Sequence, residues 1–264
     1  MTNDNESQIP GVLACDCGNT CISFTQVQGE AVSPVQRFRP GEWKSLGKAL
    51  EDAWADMPSP KKIVAASVNA AALRALEAAA TEILRQDVLV VGRDLPLPMS
   101  TTLANPEKIG VDRLCCAAAA FDRLGVACVV ADFGTAITID CVDGRGVFLG
   151  GAILPGLRTS AAALHAATDQ LPEVELTEPT WVFGGDTRQA IVGGVVYGAR
   201  GALRERVEAY ATELGAWPIV IVTGGDAHLI CPHPGEEGLV QAVVEDLCLR
   251  GVAIAYYKTL LRSE

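Results

Sequence analysis

Histidine, methionine, aromatics and positive charge are all scarce in this 264-residue sequence. It contains three histidines and three methionines, and aromatic residues make up 5% of it. Lys and Arg number 21 against 32 Asp and Glu, a formal net charge of −11. A surface so short of cations suits neither the phosphate backbone of nucleic acid nor an anionic bilayer, and neither is expected as a partner. No apolar run approaches the roughly 20 residues that span a bilayer. The stretch LCCAAAAF at 114–121 reads instead as a buried helix segment. The opening MTNDNESQIP has no basic n-region or apolar h-region, so no signal peptide is expected, and these polar residues are expected to be disordered.

Several signatures are also missing. Gly47-Lys48 lacks the upstream glycine and the following Ser or Thr of a Walker A loop. Gly144, Gly146 and Gly150 miss the G-x-G-x-x-G spacing by one residue, which leaves a dinucleotide fold unsupported. No G-x-S-x-G elbow occurs, and His165 lies in an Ala-rich helical pattern where a packed or surface role is expected rather than a base.

Cysteine, by contrast, is plentiful at nine, and several sit in apolar runs: Cys15, Cys115, Cys116, Cys128 and Cys248. They read as reduced thiols serving as small core residues, which points to the cytoplasm. A metal reading would rest on Cys15, Cys17 and Cys21, or on His228, Cys231 and His233. Neither group is followed by a second pair at zinc spacing, so reduced thiols are the expectation.

Short apolar, β-branched runs alternate with Ala-rich helical patterns, which argues for an α/β architecture. VLACD (12–16) and CISFTQV (21–27) flank a Gly-containing turn and predict a hairpin. KIVAASV (62–68) predicts a buried strand running into Asn69 as N-cap of a helix that carries Leu73, Leu76, Ala80 and Leu84 on one face. VLVVG (88–92) predicts another strand. Residues 93–108 read as a loop leading to a helix over about 110–124. The pattern then repeats: DCGNTCISFTQVQG from Asp16 is answered by DFGTAITIDCVDG from Asp132, and KIVAASVN by PIVIVTGG (218–225). Two homologous halves are expected, 1–124 and 125–264, with a helical insertion around 155–212 and their turns facing one cleft.

An Asp at the carboxyl end of a strand, followed by Gly and a hydroxyl or amide residue, suits a phosphate and its metal. The carboxylate holds Mg²⁺, and the turn N–H groups face the phosphate oxygens. Asp16, Gly18, Asn19 and Thr20 form one such turn; Asp132, Gly134 and Thr135 form a second. Thr223-Gly224-Gly225-Asp226 is a third glycine-rich turn after a strand. Asp112 and Arg113 are a candidate base and anion-binding pair, although that segment alone fits equally an acid favouring a helix dipole beside a solvated Arg.

In order along the chain, DCGNT (16–20), NPEKIGVDR (105–113), DFGTAITID (132–140), GGAILPG (150–156), ATDQLP (167–172), Thr187 with AIVGGVVYG (190–198) and TGGDA (223–227) resemble the type III pantothenate kinases. These belong to the acetate/sugar kinase, Hsp70 and actin superfamily. The resemblance implies two duplicated ribonuclease H-like (actin-like ATPase) lobes with a nucleotide cleft between them. It also implies phosphoryl transfer from ATP to the terminal hydroxyl of pantothenate, the first step towards coenzyme A. Asp112 is then the base, with Gly110, Val111 and Arg113 holding pantothenate. Asp16, Cys17, Gly18, Asn19 and Thr20 bind phosphates, Asp16 with Mg²⁺, while Gly134, Thr135, Gly224 and Gly225 contact ATP. Asp132 matches the residue that binds K⁺ or NH₄⁺. The family is dimeric, and the position of Thr187 contacts the neighbouring subunit's substrate, so a homodimer is expected. One position departs: Leu103 stands where the family often has Tyr. The resemblance leaves two alternatives, a non-catalytic accessory relative that binds nucleotide or an acyl ligand, and a kinase of another small hydroxy acid.

Overall fold

The computed structural model describes residues 9–231 and 238–261. The chain divides into two compact units. One comprises Met1–Pro98, Glu107–Ala119 and Cys248–Glu264; the other comprises Met99–Pro106 and Ala120–Leu247.

The first unit holds a six-stranded sheet of β1 (Gly11–Cys17), β2 (Ile22–Gln28), β3 (Ala31–Val32), β4 (Gln36–Phe38), β5 (Lys61–Ser67) and β6 (Val88–Val90). Its order is β3-β2-β1-β5-β6, with β4 also on β2. β1 and β2 form the expected antiparallel hairpin, and β5 lies parallel to β1. Val12, Leu13, Ala14 and Cys15 are all fully buried, as befits a central strand covered on both faces. Leu13, Cys15 and Cys17 point into one core with Leu46 and Leu50 of α1 (Trp43–Asp56) and Leu76 of α2 (Ala70–Ala79). Asn69 caps α2 as expected: its side chain accepts from the N–H groups of Ala71 (2.9 Å) and Ala72 (3.2 Å). Such a cap contributes about 1 kcal/mol.

The second unit repeats the plan. Its strands are β7 (Ser100–Thr101), β8 (Cys128–Phe133), β9 (Ala136–Val142), β10 (Val147–Pro155), β11 (Ile219–Thr223) and β12 (Ala242–Val243), in the order β12-β11-β8-β9-β10-β7. β8 and β9 are an antiparallel hairpin, and β11 runs parallel to β8. The run β2-β1-β5-β6 of the first sheet thus has its counterpart in β9-β8-β11-β12 of the second, and PIVIVTGG does answer KIVAASVN. This is a duplicated actin-like α/β fold.

α3 (Val111–Leu124) begins in the first unit, just beyond the sequence assigned there to a loop. The region expected to be a helical insertion holds α4 (Leu157–Ala166) and α5 (Thr187–Leu214), with residues 167–186 carrying no helix or strand. α5 is capped by Asp186, whose Oδ1 accepts from Gln189 N–H at 2.8 Å, and ends at Gly215 with φ 68°. Its residues Val192, Val196, Ala199, Leu203 and Val207 pack on β8 and β9 through Phe133, Ile137 and Ile139. α6 (Ala227–Ile230) follows β11.

The units are not the two continuous halves of the repeat. α7 (Leu247–Leu261) returns to the first unit, where Tyr257 Oη bonds the carbonyls of Pro10 and Val27, both at 3.2 Å. Gly251 permits this packing: a Cβ there would lie 2.7 Å from Cys115 Cα. Among the described residues no helix is long and apolar enough to cross a membrane.

Candidate active site

The two Asp-x-Gly turns occupy equivalent places in their sheets. Asp16 is the penultimate residue of β1, beside Ser23 of β2 and Ala66 of β5. Asp132 is the penultimate residue of β8, beside Thr138 of β9 and Thr223 of β11. Cys17 and Phe133, the next residues, lie in the two cores. Strand alternation therefore puts each carboxylate on the face opposite its core. The Cys17 thiol is not a phosphate ligand in this arrangement; burial, with Asp16 adding to it, pushes its pKa up to about 12. Only the Cys17 backbone borders the turn.

The first turn closes through Gly18 N–H donating to Cys21 O at 3.1 Å, with Asn19 and Thr20 exposed at its tip. The second is tighter, Gly134 N–H donating to Ala136 O at 3.1 Å, with Thr135 exposed. Two further elements dock on the second turn. Asp226 N–H donates to Phe133 O at 3.0 Å, and Gly156, the N-cap of α4, donates to Thr135 O at 3.0 Å. Thr159 Oγ1 adds a 2.8 Å bond to the same carbonyl. Gly134, Thr135, Gly224 and Gly225 are thereby gathered around Asp132 in one unit.

Two glycines border the Asp132 carboxylate. A Cβ at Gly134 would come 3.6 Å from Oδ1, and a Cβ at Gly224, whose φ is 95°, would run into Oδ1. A hard carboxylate oxygen ligand beside glycine backbone fits a cation. The Asp16 carboxylate, with the exposed amide and hydroxyl of Asn19 and Thr20 beyond it, offers the same donor type to Mg²⁺.

Asp112 lies in the first turn of α3, where an acid is favoured by the helix dipole. It is half-buried, and its Oδ1 accepts from Arg113 N–H at 2.8 Å, which fixes the carboxylate. Gly110 just before it lets the carboxylate keep this position, because a Cβ there would sit 2.5 Å from the same oxygen. Gly110, Val111, Asp112 and Arg113 belong to the first unit with the Asp16 turn.

Thr187 opens α5 and lines an apolar groove of about 750 Å³ with Ile137, Leu154, Leu157, Leu164 and Ile191. Leu103 is 38% exposed and packs on β10, where a Cβ at Gly150 would lie 3.5 Å from its Cδ2. Among the described residues no three His, Cys, Asp or Glu side chains gather as a metal cluster. Cys15 and Cys17 share the core face simply by strand period. His228 Nδ1 lies 3.1 Å from Gly225 O, and His233 falls outside the described residues.

Sequence reasoning missed one pair. Arg158, the second residue of α4, places Nε at 3.1 Å and Nη2 at 3.0 Å from Asp226 Oδ1. Asp226 was visible as the end of the third glycine turn, but nothing local marked Arg158, 68 residues away.

A family model described as type III pantothenate kinase matches residues 12–209. The type III pantothenate kinase of Dehalococcoides mccartyi (strain 195) is 32% identical over 254 residues, covering 93% of this chain and 96% of that protein. That of Syntrophotalea carbinolica is 32% identical over 254 residues, covering 94% and 98%. Among solved structures, a Campylobacter jejuni protein assigned to the Baf family of transcriptional activators matches with TM-score 0.61 at 20% identity, covering 94% of this chain and 99% of that one. Component A of (R)-2-hydroxyglutaryl-CoA dehydratase from Acidaminococcus fermentans matches with TM-score 0.52 at 14% identity, covering 96% and 99%; at such identity these two bear on the fold alone. The chain belongs to the type III pantothenate kinase family.

Proposed function

We propose that the protein transfers the γ-phosphoryl group of ATP to the terminal hydroxyl of pantothenate, giving 4′-phosphopantothenate, the first step of coenzyme A synthesis. The observation that carries the reading is the fixed Asp112 carboxylate at the start of α3 in a chain matching this family over most of its length. Arg113 N–H engages Oδ1, so Oδ2 is the atom that receives the hydroxyl proton as the oxygen attacks phosphorus in line. Arg113 binds the pantothenate carboxylate, and Gly110 and Val111 line its chain. The backbone of 16–20 faces phosphate oxygens, and Thr135, Gly224 and Gly225 contact ATP.

Asp16 would hold Mg²⁺ and Asp132 would hold K⁺ or NH₄⁺, and these ions would offset phosphate charge, a role that a Walker lysine fills in other kinases. The donor chemistry at both positions fits these ions. The protein acts as a homodimer, in which Thr187 reaches the partner's substrate. The apolar groove that Thr187 lines supports such an interface. Free, mostly buried cysteines and the demand for ATP support a cytoplasmic location for the reaction.

Mass spectrometry of the product after incubation with ATP, Mg²⁺, K⁺ and pantothenate tests the assignment. A product 80 Da heavier than pantothenate, by the mass of the added phosphoryl group (~80 Da for HPO₃), supports it. Phosphorylation of another hydroxy acid but not of pantothenate would overturn it.

A further inference from the structure

ATP brings several negative charges to the turn that carries Asp132, and beside the monovalent cation proposed there no Walker lysine is present to meet them. The second unit's turns, Asp132–Thr135 and Thr223–Asp226, contain no cationic side chain of their own. We infer that Arg158 supplies it, contacting the polyphosphate of bound nucleotide from the first turn of α4, and that Asp226 is the positioning residue that aims it. This rests on the reading of the site as an ATP site.

Three observations converge on Arg158. Its helix is docked on the nucleotide turn, through Gly156 N–H and Thr159 Oγ1 on the carbonyl of Thr135. Its guanidinium is tied to Asp226, which is itself tied to Phe133 O by its backbone N–H, so the side chain spans from beside Thr135 to beside Phe133. Finally, both contacts go to one oxygen: Nε and Nη2 share Asp226 Oδ1 rather than forming a two-oxygen fork. The remainder of the guanidinium turns to solvent, and the side chain is 69% exposed while that of Asp226 is 7% exposed.

Such a half-exposed pair contributes little to folding. A buried carboxylate spent on orienting an exposed arginine beside a phosphate turn suits ligand recognition, for which the planar guanidinium is well shaped. The neighbouring Gly225 leaves the same approach open, since a Cβ there would meet nothing within 4 Å.

Steady-state kinetics of Arg158→Ala, Arg158→Lys and Asp226→Asn, with titration of a fluorescent ATP analogue into each, tests the inference. Losing one charge-assisted contact should raise the KM for ATP about tenfold or more in Arg158→Ala. The KM for pantothenate should stay within about twofold. Arg158→Lys should recover part of the loss, and Asp226→Asn should raise the KM for ATP by less than Arg158→Ala does. Unchanged ATP KM and analogue affinity in Arg158→Ala would overturn the inference, as would an equal rise in both KM values. If the wild type binds the analogue yet turns over no pantothenate, the substrate assignment fails alone, and the analogue titration still decides the role of Arg158.

Discussion

Gly224 and the carboxylate of Asp132 are in such close approach that any side chain at 224 would occupy the space of Oδ1. A Cβ there would also lie 2.6 Å from the backbone N of Phe133, at a φ of 95°. Gly224→Ala should therefore cost about 1–3 kcal/mol of stability. It should also blunt the response of turnover to K⁺. Thermal melts and a K⁺ titration at constant ionic strength check both; an unaltered K⁺ response would remove Asp132 as the cation ligand.

Gly110 bears on Asp112 in the same way. Gly110→Ala would put a Cβ 2.5 Å from Asp112 Oδ1 and push the carboxylate off its bond to Arg113 N–H. The expected result is a fall in kcat of about a hundredfold, the scale of misplacing a general base, with the melting temperature little changed. Circular dichroism melts run beside the kinetics separate the two effects.

Leu103 packs beside Gly150 on β10, at the position where the resemblance implies a Tyr. If the aromatic wall assists substrate binding, Leu103→Tyr lowers the KM for pantothenate by roughly threefold to tenfold, the worth of about one aromatic contact. The KM for ATP should not move. An increase in the pantothenate KM would show that the site is built around the smaller side chain.

The buried thiols set an alkaline limit. Burial pushes Cys17 and Cys128 up to about 12 and Cys141 up to about 11. Their ordinary value is near 9. Between these values the folded state binds more protons than the unfolded one, so stability falls as pH rises past about 9 and is unaffected below it. Each such thiol steepens the fall by about 1.4 kcal/mol per pH unit at most. Melting temperatures from pH 7 to 10.5 should show a plateau and then a decline, and replacing Cys17 and Cys128 with Ala should flatten the decline.

The features legible in the sequence are those written in local chemistry. Strand alternation around Asp16 and Asp132, the glycines of their turns, and Asn69 at a helix start all stand in short windows, and the repeat tied the two windows together. Three features depend on pairing across long separations. β7, inside the segment read as a loop, is two residues held by β10, with Thr101 Oγ1 donating to Phe148 O 47 residues away. α7 joins the first unit because Gly251 lets it approach Cys115, a fit invisible in either segment alone. Arg158 meets Asp226 across 68 residues, from a helix whose start is docked on Thr135. The positions of Asp112 and Thr135 are legible; the hold of Arg113 N–H on Asp112 Oδ1 emerges only from the turn geometry around Gly110.

The central claim is that Asp112 takes the proton from pantothenate. ADP release from ATP, Mg²⁺ and K⁺, with and without pantothenate, for the wild type and Asp112→Asn, tests it most directly. Pantothenate-dependent release in the wild type and a loss of roughly 10²–10⁴-fold in the variant, with its melting temperature preserved, is the predicted result. Retention of turnover by Asp112→Asn would contradict the account and move the proton to another group.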